Sequence, residues 1–138
     1  MKKILLLACA GVLCFSQVNA ANCEAGTEIT GKNGHVYCMG NNRTNWWSAG
    51  TWCEAQGRHL ATMEEMCPDT GEGLDNAWDG STGDKRCANL NGVGSNYVWS
   101  SLASGGSNAF FVVLSNGHVS VGARGNTSVG GSLYAFCY

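Results

Sequence analysis

The sequence predicts a small α+β domain stapled by disulfides. Three observations carry this expectation. Two short segments, 45–57 and 62–67, carry helix signals, and short strand-like runs lie on either side of them. Six cysteines follow a leader that reads as an export signal.

The leader comes first. Lys2 and Lys3 precede an apolar run over 4–15, and Val18 and Ala20 stand at the −3 and −1 positions of a cut after Ala20. The run is too short to span a bilayer, so residues 1–20 are expected to be a bacterial-style signal peptide. Residues 21–138 are expected to form one domain, with no membrane insertion of the mature chain. That part holds six Lys or Arg and ten Asp or Glu, a formal charge of 6 − 10 = −4. It has no basic patch interleaved with aromatics, so nucleic acid is not an expected partner.

Cys9 and Cys14 leave with the leader. Cys23, Cys38, Cys53, Cys67, Cys87 and Cys137 remain, an even set of the kind that forms a disulfide framework in exported domains. Six cysteines allow fifteen pairings, and spacing alone does not choose among them.

Residues 27–30 and 35–39 flank Gly31-Lys32-Asn33-Gly34, a hairpin signal. Asn45 or Thr44 can cap the next helix, and Gly57 can end it in the left-handed conformation. On that helix Trp46, Ala49, Gly50 and Cys53 fall at helical spacing, which predicts a buried stripe. Residues 58–61 read as a short connecting strand. Thr62-Met63-Glu64-Glu65 fits a capping box, and Cys67-Pro68 stops the second helix. Residues 69–86 are rich in Gly, Asp, Ser and Thr without apolar periodicity, which predicts a long irregular loop. Strand-like runs follow at 97–101, 108–114, 118–124 and 133–138, with Ser115-Asn116-Gly117 as a tight turn.

The mature chain resembles a C-type lectin-like domain. The matching features are the opening hairpin, then Trp46/Trp47, Ala49, Cys53, Gly57 and Leu60-Ala61. A long loop follows, then Tyr97-Val98-Trp99-Ser100 and the closing strand at Cys137. Residues 58–66 are also similar to the corresponding segment of bacterial relatives of the formylglycine-generating enzyme. The resemblance implies a C-type lectin-like fold: two short helices, a small mostly antiparallel sheet and a long irregular loop. It also implies bridges Cys53–Cys137, Cys23–Cys38 and Cys67–Cys87.

Sugar-binding members hold calcium with a Glu-Pro-Asn or Gln-Pro-Asp tripeptide and a Trp-Asn-Asp element. The only proline here is Pro68 in Cys-Pro-Asp, and Trp-Asn-Asp is absent, so no cofactor or metal is expected. Asp69, Glu72, Asp75, Asn76, Asp79 and Asp84 cluster in the loop, which keeps a structural calcium there as an alternative, but their spacing matches no defined calcium loop. His35, His59 and His118 lack metal-ligand spacing. The enzyme relatives use a reactive cysteine pair near the C-terminus, whereas Cys137 stands alone there. Catalysis is therefore not expected.

The expected function is binding: an exported receptor or adhesin taking a protein or glycan through its C-terminal hairpin and loops. The ligand set is Ser104, Ser107, Asn108, His118, Ser120, Arg124, Asn126 and Ser128, with Trp99 supporting it from below. In β-spacing Val119, Val121 and Ala123 face inward while His118, Ser120, Gly122 and Arg124 face outward. Arg124 would supply charge-assisted bonds and the small polar residues adaptable ones. The composition of 100–134 is compatible with the retroelement diversification found in some bacterial and phage members. Among the tryptophans, Trp78 in the loop, and Trp47 or Trp52 off the helix stripe, are the ones placed to stack on sugars. The alternative is a structural subunit of a surface appendage. Either would act in the periplasm, at the cell surface or in the medium.

Overall fold

Thr27–Thr30 (β1) and Val36–Met39 (β2) pair antiparallel, Thr30 opposite Val36, around a turn closed by Gly34 N–H on the Gly31 carbonyl at 2.9 Å. The computed structural model describes residues 23–68 and 86–138. The leader and the acidic-loop cluster, Trp78 included, lie outside the described residues.

Helix α1 spans Trp46–Ala55. Asn45 caps it by accepting the Ser48 N–H at 2.9 Å, and the chain leaves through Gly57 at φ +72°. Helix α2, Met63–Met66, carries the expected capping box: Thr62 Oγ1 accepts the Glu65 N–H, and Glu65 Oε1 accepts the Thr62 N–H. A 3₁₀ turn follows at Ala88–Leu90.

The remaining strands are β3 (Tyr97–Ser104), β4 (Asn108–Val113), β5 (Val119–Ala123), β6 (Leu133–Tyr134) and β7 (Phe136–Cys137). They form two sheets where a single small one was expected. One has the order β1-β2-β7, the other β5-β4-β3-β6. All pairs are antiparallel except β3 with β6. The expected strand over 133–138 is thus divided. Leu133 and Tyr134 run parallel to β3, the Ala135 carbonyl accepts the Gly40 N–H, and Phe136 opposes Met39 in the other sheet. Six residues stitch the two sheets together. The connecting strand over 58–61 is reduced to one bridge, Leu60 to Cys137, flanked by bonds to Phe136 and Tyr138.

Strand β4 is apolar on both faces because both are covered. Phe110 and Val112 join Val98 and Val119 against Tyr37, Phe136 and the two methionines of α2. Ala109, Phe111 and Val113 join Trp99 and Leu133 against Ala49 and Cys53 of α1. Disulfides Cys23–Cys38, Cys53–Cys137 and Cys67–Cys87 hold these layers, with Cα separations of 5.5, 5.4 and 5.0 Å. They are the three pairs implied by the resemblance. The protein is therefore a small, disulfide-stapled α+β structure, and no helix among the described residues is long and apolar enough to cross a membrane.

Asn89 is a buried polar knot that joins the layers. It is 2% exposed, and its Nδ2 donates to Tyr37 Oη and the Met66 carbonyl while its Oδ1 accepts the Asn33 N–H. Every bond ties the opening hairpin or α2 to the 3₁₀ turn. Such a group is stable inside only because its polar atoms are satisfied.

Candidate functional site

One end of the four-stranded sheet gathers most of the expected ligand residues. Ser104 closes β3 opposite Asn108, the first residue of β4, and Asn108 in turn opposes Ala123 at the end of β5. Ser107 lies exposed in the intervening turn, and Asn126 lies exposed in the turn that follows β5. Ser128 is exposed within the 125–132 excursion, which closes on itself through a bridge to Ser132 and the Leu133 N–H bond to Thr127 O at 3.0 Å.

Arg124 holds this end together. Its Nε donates to the Asn108 carbonyl at 3.0 Å and a terminal nitrogen donates to the Gly105 carbonyl at 2.8 Å. Its guanidinium also stands 4.8 Å from the centre of the Trp46 ring. Its backbone is engaged as well, receiving the Trp46 N–H and donating to Ser107 O. Where a projecting cationic group was expected, the guanidinium is bonded to the carbonyls of Gly105 and Asn108. Arg124 is a clamp on the β3–β4 turn that carries Ser107.

Two expected residues stand apart. His118 sits at the opposite end of β5, beside Arg86 in an isolated bridge and with its N–H on Asn116 Oδ1 at 2.9 Å. Six residues of extended chain put it ~20 Å from Arg124, too far to share one small ligand. Ser120 faces Phe111 in mid-strand and is half-buried. The outward face of β5 is also not open. Gly122 is buried beneath Val129, whose methyl carbon would lie 2.8 Å from an added Cβ. The 125–132 excursion folds back over that face, a tertiary event that strand alternation does not encode.

Trp99 is fully buried, packed edge-on to Phe111 at 6.2 Å, and donates its indole N–H to the Thr44 carbonyl at 2.9 Å. It anchors the chain preceding α1 to the middle of β3. Trp46 also donates to β3, at the Ser100 carbonyl, 2.8 Å away. The helix and the sheet end are thereby fixed to each other by two indoles and one guanidinium.

A second concave surface lies on the outer flank of α1, and of its lining the sequence had marked only Trp47 as a sugar-stacking candidate. It is a groove of about 440 Å³ with Trp47, Gly50, Thr51 and Glu54 on the helix side and His59 and Thr62 across from them. Trp47 is 56% exposed. Gly50 is a correction, because the stripe reading placed it in the core. Ala49 and Cys53 are buried there, while Gly50 is half-buried and an added Cβ would meet none of the described residues within 4 Å. A glycine in the middle of a capped helix is the sequence signal that could have marked this surface.

Two titrating groups are displaced by their surroundings. His35 stacks on Tyr138 with ring centres 4.0 Å apart, and its Nε2 is buried without a hydrogen-bond partner among the described residues. Burial, reinforced by Arg58 and opposed by Glu65, holds its pKa below the ordinary value. Burial pushes the Tyr37 phenol up, against hydrogen bonds from Asn89 and Asn33 that act in the other direction.

No protein-family model matches the chain, and no curated protein matches it.

Proposed function

We propose that this is an exported binding protein of the C-type lectin-like kind, a receptor or adhesin that grips a protein or glycan at the β3–β4 turn and the 125–132 excursion. The observation that carries the reading is the Arg124 clamp. It fixes the β3–β4 turn to the end of β5 and to Trp46, while the Leu133–Thr127 bond closes the neighbouring 125–132 excursion, so Ser107, Asn126 and Ser128 are presented without a large ordering cost on binding. Small polar residues on a rigid base suit adaptable recognition.

The lectin-like assignment is supported by the order of the parts. An opening hairpin pairs with the last strand, α1 is bridged to that strand by Cys53–Cys137, and the other sheet follows the 67–87 bridge. Export is supported by three disulfides, which persist in oxidising compartments. Binding rather than formylglycine-type chemistry is supported by the cysteines at 23, 38, 53, 67, 87 and 137. All are paired, leaving none of them as the thiol that such chemistry requires.

The test is a fluorescently labelled, disulfide-bonded protein applied to a glycan microarray and to blotted envelope proteins of the producing cell. A specific signal that disappears in Ser107→Arg/Asn126→Arg, with unchanged thermal stability, is the expected result. A signal indifferent to that pair refutes the placement. Recovery of the native protein only in high-mass assemblies, with no ligand on either surface, would favour the appendage-subunit reading instead.

A further inference from the structure

We infer that the α1 groove is a second, separate binding site, and that it takes an uncharged saccharide ring. The inference does not depend on the ligand of the C-terminal loops.

The first observation is Gly50. Glycine inside a helix is less stable than alanine at the same place, because it loses more backbone freedom on folding. Such a residue is often explained by close packing. Here nothing among the described residues lies within 4 Å of the missing Cβ, so their packing does not require the glycine. What its small size does is keep the groove floor open between Trp46 and Glu54, one helical turn away on either side.

The second observation is the wall. Trp47 is the most exposed of the large hydrophobic side chains among the described residues, yet it is not loosely placed. It packs edge-on against Trp46 with ring centres 6.1 Å apart, and Trp46 is pinned by Ser100 and Arg124. Thr51 Oγ1 donates to the Trp47 carbonyl at 3.2 Å, one turn along. A rigid indole face at 56% exposure offers flat apolar area with little ordering cost.

The third observation is the polar set around that face. Glu65 receives the His59 Nε2–H at 2.8 and 2.9 Å, and it is itself held by the capping box. Nε2 is therefore committed to Glu65, and Nδ1 is the ring nitrogen that this pair does not engage. Glu54 adds a carboxylate, and Thr51 and Thr62 add hydroxyls. A purely apolar ligand would desolvate Glu54 without a partner, and an anion would be repelled by it. A sugar ring has an apolar C–H face for the indole and a rim of hydroxyls that both give and accept. The groove volume of about 440 Å³ falls in the lower part of the ~300–1,000 Å³ range of small-ligand sites.

The test is proton–nitrogen NMR of the disulfide-bonded protein titrated with chitotriose, cellotriose and maltotriose. Each is raised to about 10 mM, which reveals a millimolar Kd. Tetramethylammonium at the same concentration is the control for cation recognition. At least one saccharide is expected to shift the Trp47 indole N–H and the Gly50 and Thr51 amides saturably. Trp47→Ala should weaken that binding by about tenfold or more, and Gly50→Leu should abolish it while the rest of the spectrum is retained. Three results would overturn the inference: no shift at these signals with any saccharide, a shift with tetramethylammonium alone, or shifts that survive both substitutions. Saccharide shifts confined to Ser107 and Asn126 would overturn it too, while agreeing with the C-terminal site.

Discussion

Replacing Arg124 by alanine separates the two roles this residue can have. A ligand group could be truncated with little effect on folding, whereas a clamp could not. Two charge-assisted bonds, at 3.0 Å to Asn108 O and 2.8 Å to Gly105 O, are lost together with the contact to Trp46 at 4.8 Å. Because Arg124 is only half-buried, each bond is taken below the usual range for charged donors, at ~1 kcal/mol. The cation–π contact adds ~0.5–1 kcal/mol. The sum is ~2.5–3 kcal/mol, which for a domain of this size lowers Tm by roughly 10–12 °C. Urea unfolding followed by far-UV circular dichroism measures the loss directly. Arg124→Lys keeps the charge but not the fork and should recover about half of it. In a double-mutant cycle with Trp46→Leu, a coupling of ~0.5–1 kcal/mol isolates the ring contact. An Arg124→Ala protein within ~0.5 kcal/mol of wild type would refute the clamp and return this residue to the ligand set.

Four further outcomes follow from the same packing. Removing Cys53 and Cys137 together frees a closure of 84 residues and should cost ~4.5 kcal/mol, against ~3 for the 15-residue Cys23–Cys38 closure, in parallel urea titrations. Asn89→Leu strands the Asn33 N–H and the Met66 carbonyl, so a loss of ~2–4 kcal/mol is expected from the same assay. Gly50→Ala should do the opposite and stabilise by ~0.5–1 kcal/mol, since in this helix its methyl meets none of the described residues within 4 Å. His35 supplies a pH dependence. Its folded-state pKa is depressed by burial first and Arg58 second, so below the ordinary value of 6.5 the unfolded chain binds the proton more readily. The stability it confers is complete above pH 6.5 and falls as the pH drops from there toward the folded-state value. His35→Phe should remove that portion of the slope when urea midpoints are compared across pH.

Local chemistry made several elements legible from the chain alone. The Asn45 cap, the Gly57 exit and the Thr62–Glu65 box each involve atoms within a few residues of one another, so residue type and spacing suffice. The apolar run of β4 announced a strand for the same reason. The pairing of the cysteines was different. It came from resemblance, because spacing carries no information about which distant sulfurs meet.

What the sequence by itself determined was therefore both helices and most of the strands, the two helix caps, the hairpin turns and the even cysteine framework. Tertiary structure alone decided the division of 133–138 between two sheets and the burial of Asn89. It also turned Arg124 inward, covered Gly122 with Val129 and opened the groove above Gly50. The physical reason is range. A cap or turn is satisfied by its neighbours, but a guanidinium, a buried amide or a missing Cβ takes its meaning from atoms tens of residues away. The same Arg124 that reads as a free cation along β5 becomes an internal tie once Asn108, Gly105 and Trp46 close around it.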